Sequence, residues 1–304
     1  MELIKPDVNI DFIGKRNIAF ALSIVLILVG IVSLLVKGGP NYGVDFAGGT
    51  LVQLRFTENT SAEQIKKVLI PAPLSAATVQ QFGDEPNEFL IRTQETEANT
   101  VGLRGKILQA LYGHYSEANV DMRRIEMVGP QVGQDLRKQG LMAILYAMIG
   151  ILAYVTWRFE FRFAIGAIVA LVHDVLLTFG AFSLFGKEID LPIIAAFLAI
   201  VGYSLNDTII VYDRIRENKG KYIENGFSYT VNRSINETLS RTVLTSGTTL
   251  LVVSALFIFG GGVIHNFAFA LLIGVMVGTY SSVFVASPFL VAWEERRHKV
   301  VVGS

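Results

Sequence analysis

Apolar residues in this chain gather into runs too long for a soluble core. A membrane-spanning helix needs roughly 17–25 mostly apolar residues, and six windows meet that requirement: about 18–36, 140–157, 163–185, 192–212, 242–260 and 266–292. The first resembles an export signal, but its run is too long for the apolar part of one. Lys37-Gly38-Gly39-Pro40 also offers no small-x-small cleavage site, so the window is read as an uncleaved anchor. Between the first two windows the pattern changes period. Thr50–Phe56 alternates as a half-buried strand does. Ser61 is a candidate N-cap for a helix over Ala62–Leu69, with Gln64 at the capping-box position. Ala77–Phe82 and Glu88–Thr93 predict two strands around a turn containing Gly83, Asp84, Pro86 and Asn87. Residues 96–115 predict a second helix and Val120–Val128 a last strand. The order βαββαβ is the ferredoxin-like split motif. The expectation is a polytopic α-helical membrane protein, with six transmembrane helices and one α+β ferredoxin-like domain over residues 37–139.

Charge then orients the spans. Lysine and arginine mark cytoplasmic loops when those loops are short. Lys5, Lys15 and Arg16 lie before the first window, Arg158 and Arg162 between the second and third, and Arg296, Arg297 and Lys299 after the sixth. The 213–241 segment carries Arg214, Arg216, Lys219, Lys221, Arg233 and Arg241, whereas 186–191 has only Lys187 and 260–265 has none. Both termini are therefore expected in the cytoplasm and the α+β domain outside it, since long loops translocate largely regardless of charge.

Composition narrows the function. The 304 residues are 52% hydrophobic and 17% charged, against about a quarter charged in soluble domains. A net charge of zero gives no electrostatic case for nucleic acid, and the absence of cysteine excludes disulfide and thiol chemistry. The outer segment shows no Cys/His metal cluster and no nucleophile–base pair, so a binding role is its economical reading. Gly180…Gly186-Lys187 comes nearest to a nucleotide-binding loop, but its spacing is one too long and Glu188 stands where Ser or Thr is needed. No hydrolase signature accompanies the intramembrane acids. The chain is thus expected to be no enzyme, to carry no cofactor, and to draw energy from ion gradients or partners.

Ionisable residues inside spans are the sharpest signal, because each costs about 2.5–3.5 kcal/mol near a helix centre on insertion scales. The third span holds His173 and Asp174; the fourth holds Asn206 and Asp207 within Gly202-Tyr203-Ser204-Leu205-Asn206-Asp207-Thr208. Arg241 opens the fifth span and is followed by Thr245 and Thr249 at helical spacing. An acid in one helix and an arginine entering the next suggest a buried charge pair. The structural alternatives are a carboxyl satisfied by hydroxyls at Asp207, a snorkelling interfacial side chain at Arg241, and packing hydrogen bonds at His173 and Asp174. Small residues at Gly202, Ser204, Gly274 and Gly278 would let helix backbones approach closely.

Three motifs together resemble the SecF family. They are Gly43-Val44-Asp45-Phe46-Ala47-Gly48-Gly49-Thr50 after the first span, Val128-Gly129-Pro130-Gln131-Val132-Gly133 before the second, and the run from Gly202 to Asn218. SecF proteins are the smaller subunits of the bacterial SecD–SecF accessory complex of protein export, related to the RND transporters. The resemblance implies a bacterial inner-membrane location, a SecD partner, work beside the SecYEG channel on unfolded exported polypeptides, and use of the proton-motive force. It assigns Asp207 as the membrane-embedded proton-relay aspartate and Arg241 as the arginine that works with it. The same resemblance makes Gly43, Asp45, Gly48 and Gly49 a signature at the mouth of the outer domain; read from the residues alone, this run is a tight turn into the first strand. A passive scaffold that stabilises a partner without conducting protons is the competing reading.

Overall fold

Each of the six apolar windows forms a helix longer than the run that predicted it. The computed structural model describes residues 8–69, 77–82, 87–93, 100–260 and 262–302. Its long helices are α1 (Arg16–Val36), α5 (Pro130–Arg158), α6 (Phe161–Leu184), α7 (Leu191–Asn218), α8 (Phe227–Phe259) and a sixth in two parts. That sixth consists of α9 (Gly262–Ser281) and α10 (Ser287–Val302), joined without a break by a π turn over Ser282–Ala286. Six helices are long and apolar enough to cross a membrane. Hydrocarbon offers backbone groups no outside partner, so helix persists until the chain reaches polar surroundings. The starts follow from local chemistry. Pro130 opens α5, and Asp190 caps α7 by accepting from the Ile193 N–H at 3.2 Å.

The 213–241 segment, expected as a loop, is mostly helix. Both α7 and α8 run past the apolar windows and leave only 219–226 between them. A polar tie and an apolar seam hold this hairpin together. The buried Asn218 amide donates to Ser234 Oγ at 3.1 Å and Glu237 Oε2 at 2.8 Å, while Ile215, Val231 and Ile235 share one apolar cluster with Phe163 and Tyr212. The segment before α1 is clamped to the same hairpin. Asn232 and Asn236, one turn apart, accept from the backbone N–H groups of Ile10, Phe12 and Ile13 and donate back to the Ile10 carbonyl.

Close backbone approaches set the bundle. An added Cβ on Gly30 would meet the Gly180 Cα at 2.8 Å, so α1 and α6 touch there at backbone level. Gly278 stands in the same relation to the Ser204 Cβ at 2.9 Å, and Gly274 lies against Ile200, which seats α9 on α7. Gly202 takes no part: it is exposed, with nothing near its missing Cβ.

Outside the bundle, β1 (Gly49–Phe56), α3 (Ala62–Leu69), β2 (Thr78–Gln81), β3 (Glu88–Thr93), α4 (Thr100–Tyr112) and β4 (Val120–Val128) form an antiparallel sheet in the order β2-β3-β1-β4. This is the ferredoxin-like arrangement expected from the element order. Val52, Leu54 and Phe56 pack against Ile65, Leu103 and Ile107 on the helix-covered face. The predicted capping box forms: Ser61 N–H donates to Gln64 Oε1 at 3.1 Å, and Gln64 N–H to Ser61 Oγ at 3.3 Å. Of the predicted turn, Asn87 is described and Gly83, Asp84 and Pro86 lie outside the described residues.

The sheet domain is fastened to the bundle by a strap. Within it, α2 (Val44–Ala47) interrupts the glycine motif, and Phe46 inserts among Phe182, Ile189, Ile193 and Phe197. Tyr42 bridges Ile189, Gly43 N–H donates to the Ile189 carbonyl at 2.8 Å, and Leu191 N–H donates to Asp45 Oδ2 at 3.0 Å. From the sheet itself, Arg92 on β3 pairs with Glu188 in the α6–α7 loop.

Candidate functional site

The intramembrane acids fall into two hydroxyl-lined clusters on either side of the α7–α9 contact. Asp207 is 1% exposed and accepts from Ser246 Oγ on α8 at 3.3 Å. Ser246 is also bonded to Thr279 Oγ1 on α9 at 2.7 Å, and Tyr203 OH donates to Ser246 at 3.3 Å. The carboxyl therefore sits where three helices meet, inside a ring of hydroxyl groups.

The expected charge pair with Arg241 is not made. Among the described residues Asp207 and Arg241 form no ion pair; the carboxyl is bonded to Ser246 instead. The reason is helical phase. Thr242 and Ser246 are buried one turn apart on α8 and Ser246 reaches Asp207, whereas Arg241 sits about 100° round the helix from Thr242 and is exposed. Thr245 and Thr249, expected on the polar stripe, bond instead to the Arg241 and Thr245 carbonyls of their own helix. Asn206 is likewise exposed and does not join either cluster.

The second cluster centres on Asp174, also 1% exposed. His173 Nδ1 is 2.8 Å from Asp174 Oδ1, and His173 Nε2 is 3.0 Å from Ser23 Oγ on α1. Ser204 and Ser281 donate to Asp174 Oδ2 at 2.5 and 2.8 Å. Sequence reasoning singled out both acids but missed the hydroxyls around them: Ser246 on Asp207 with Thr279 behind it, Ser281 on Asp174, and Ser23 on His173. Buried hydroxyls at four-residue spacing, as at Thr242 and Ser246, were the available signal.

The glycine motif lies at the join between domain and bundle. Gly48 has φ +75°, and a Cβ there would meet the Pro130 Cα at 2.8 Å; a Cβ on Gly133 would meet the Gly48 N and Phe46 O at 3.0 Å. The strap and the start of α5 thus cross with no room for side chains. Gly43 and Gly49 flank the crossing, the first bonded to the α6–α7 loop and the second opening β1. Above it, the helix-free face of the sheet and the loop enclose a cleft of about 600 Å³, with Gln53, Arg92, Asp45 and Asp190 among its walls. Burial in this joint lowers the affinity of Arg92 for its proton, opposed by the nearby Asp190 and Asp45 charges. Burial also pushes the Asp190 carboxyl above its ordinary range. Among the described residues, no group of three or more His, Cys, Asp or Glu could hold a metal ion.

Comparison with known proteins places this geometry. The family described as "Protein export membrane protein SecD/SecF, C-terminal" matches residues 108–296, and the "SecD/SecF GG Motif" matches residues 32–60. The chain belongs to the SecD/SecF family. Within that family it is 48% identical over 294 residues to a protein translocase subunit SecF of Desulfurispirillum indicum, covering 94% of this chain and 92% of that one. It is also 48% identical to one of Magnetococcus marinus, covering 100% and 98%. The crystal structure of SecDF from Thermus thermophilus, a translocon-associated membrane protein, superposes with a TM-score of 0.86 at 37% identity, covering 96% of this chain. A SecDF structure in a super-membrane-facing form gives 0.74 at 38% identity. This chain spans 40% and 41% of those two SecDF chains. The chain is accordingly a multi-pass member of a protein-export family, and the GG motif of that family coincides with the strap crossing.

Proposed function

We propose that this chain works as a SecF subunit, pairing with SecD in the bacterial cytoplasmic membrane, with both termini cytoplasmic and the sheet domain outside. In this reading it is no enzyme. The pair uses the proton-motive force to promote late steps of export of unfolded polypeptides from the SecYEG channel. The observation that carries the proposal is Asp207: a buried carboxyl in the middle of a membrane bundle, ringed by hydroxyls, with Arg241 exposed on α8 five residues before the Ser246 that bonds it. Such a group is held neutral by a proton or balanced by a charge brought to it. Arg241 is the charge available on this chain, and a second helical half is expected to cover the face where Arg241 and Asn206 lie exposed.

One charge crossing 100 mV releases about 2.3 kcal/mol. That is enough to shift a two-state element, provided the two protonation states favour different packings. The unequal fit of two SecDF structures of almost equal identity supports a family fold with more than one shape. In this chain α7 carries Asp207 and begins at the strap, so movement of α7 reaches the sheet domain through Asp190, Asp45 and Glu188.

The deciding variant is Asp207→Asn, which fixes a neutral side chain of nearly unchanged volume. It should assemble with SecD as the wild type does and lose the gradient-stimulated part of export in membrane vesicles. Wild-type stimulation in that variant would leave Asp207 as a packing residue and the chain as a scaffold.

A further inference from the structure

The Asp207 site leaves a second buried acid unused. Asp174 is enclosed by α1, α6, α7 and α9, and among the described residues no lysine or arginine lies within ion-pair distance of it. The titratable group bonded to it is His173 on its own helix; Tyr280 on α9 stacks on that imidazole, Asp207 lies one turn beyond Ser204 on α7 in the other cluster, and α1 contributes the Ser23 hydroxyl on His173. Both Asp174 oxygens are occupied in different ways. Two serine hydroxyls donate to Oδ2, which therefore needs no proton, and Oδ1 faces the imidazole.

We propose that His173 and Asp174 form a second proton-holding unit, linked to Asp207 through Ser204 and to α1 through Ser23. The proposal rests on the proton-coupled reading of Asp207 and adds an internal site that regulates it. The pair has two neutral arrangements. In one, Asp174 carries the proton on Oδ1 and donates it to His173 Nδ1, with Nε2–H directed at Ser23. In the other, the O–H bond at Oδ1 is broken and an N–H bond formed at Nδ1, leaving aspartate beside imidazolium. Both ring nitrogens are then donors. Net charge is zero in each, so the exchange adds no unbalanced charge to the bundle interior.

Three features make this unit sensitive to its neighbours. The His173 ring stacks on Tyr280, with centroids 6.0 Å apart and planes 22° apart, and Tyr280 OH is 3.2 Å from Ser23 Oγ while donating to the Ala19 carbonyl at 2.7 Å. Hydrogen bonds thus run without interruption from Asp174 to the first turn of α1. Next, the π turn begins directly after Ser281, where Ser287 Oγ donates to the Ser282 carbonyl five residues back. Such turns are rare inside α-helices and occur frequently at functional sites. Finally, Ser204 meets Gly278 at a close α7–α9 approach, so any movement of Ser204 with Asp174 moves the turn that carries Asp207.

The test is infrared difference spectroscopy on the full chain in lipid vesicles, stepped in pH with hydrogen–deuterium exchange to mark carboxyl bands. Asp207→Asn should remove one band and Asp174→Asn a different one. His173→Gln should keep the Asp174 band, shift its frequency and abolish the imidazole signal. His173→Gln guards against misfolding of Asp174→Asn. Ser204→Ala should move the midpoint of the Asp207 band by about one pH unit, a tenfold change in proton affinity. An Asp174→Asn spectrum identical to wild type at every pH overturns this inference and leaves Asp207 standing, as does an unmoved Asp207 midpoint in Ser204→Ala. Absence of any Asp207 band in the wild type would instead fail the proposed function, and the linkage with it.

Discussion

Two glycines that look alike in the sequence do different work. Gly48 holds φ +75° and ψ 166°, a region that side chains occupy only under strain, and its missing Cβ faces Pro130. Gly129 has φ −65°, with open space around it. Gly48→Ala should therefore cost about 1–3 kcal/mol and loosen the strap, whereas Gly129→Ala should change stability by no more than about 0.5 kcal/mol. Thermal unfolding of the full chain in mild detergent, with protease cleavage near residues 40–48, compares the two; equal losses would mean the crossing does not constrain Gly48. At this scale the sequence was half legible. Asp207, Asp174 and His173 stood out because ionisable groups are rare in apolar helices. The partners of Asp207 did not, because the four-residue spacing of Thr242 and Ser246 is shared by Thr245 and Thr249, whose hydroxyls bond only their own helix. The expected Arg241 pair failed for the same reason: one residue of helical phase separates a side chain inside the bundle from one outside it.

Elements were read more reliably than their ends. The capping box at Ser61 and Gln64 formed because both of its bonds are local, within four residues. The extensions of α7 and α8 were missed because Asn218, Ser234 and Glu237 stabilise them only through contact with each other. The joint between β3 and the α6–α7 loop is of this second kind. Arg92 and Glu188 are both largely screened from solvent, and removing one leaves the other's charge in poor surroundings. Arg92→Glu and Glu188→Arg should each loosen the sheet domain, and the double reversal should recover at least about 1 kcal/mol of their summed loss, the lower range of coupling for contacting residues. A double-mutant cycle on unfolding of the full chain measures this directly. Additive losses would show that the pair contributes nothing to the joint.

At the scale of the whole molecule, six spans and a split βαβ domain were legible because each rests on a strong period: apolar runs for the helices, alternation for β1. The seating of the domain was not, since Phe46 reaches a cluster formed by residues more than a hundred positions away. Orientation is the property that connects the two levels. The sheet domain and the 219–226 connection lie at opposite ends of the spans, because α7 begins beside the strap and ends beside that connection. The proposed cytoplasmic side of that connection rests on the positive charge at Lys219 and Lys221. The chain has no cysteine, so single cysteines report cleanly. Asn218, a natural choice from sequence, is fully buried and bonded to Ser234, and would label poorly from either side. Asn59 and Lys221 are exposed. In right-side-out vesicles, Asn59→Cys should react with a membrane-impermeant maleimide at once, and Lys221→Cys only after the vesicles are opened. Inverted vesicles should exchange the two results. Equal labelling of both positions in sealed vesicles would place both on one side, which no arrangement of α7 as a spanning helix allows, and the sidedness on which proton coupling depends would fall with it.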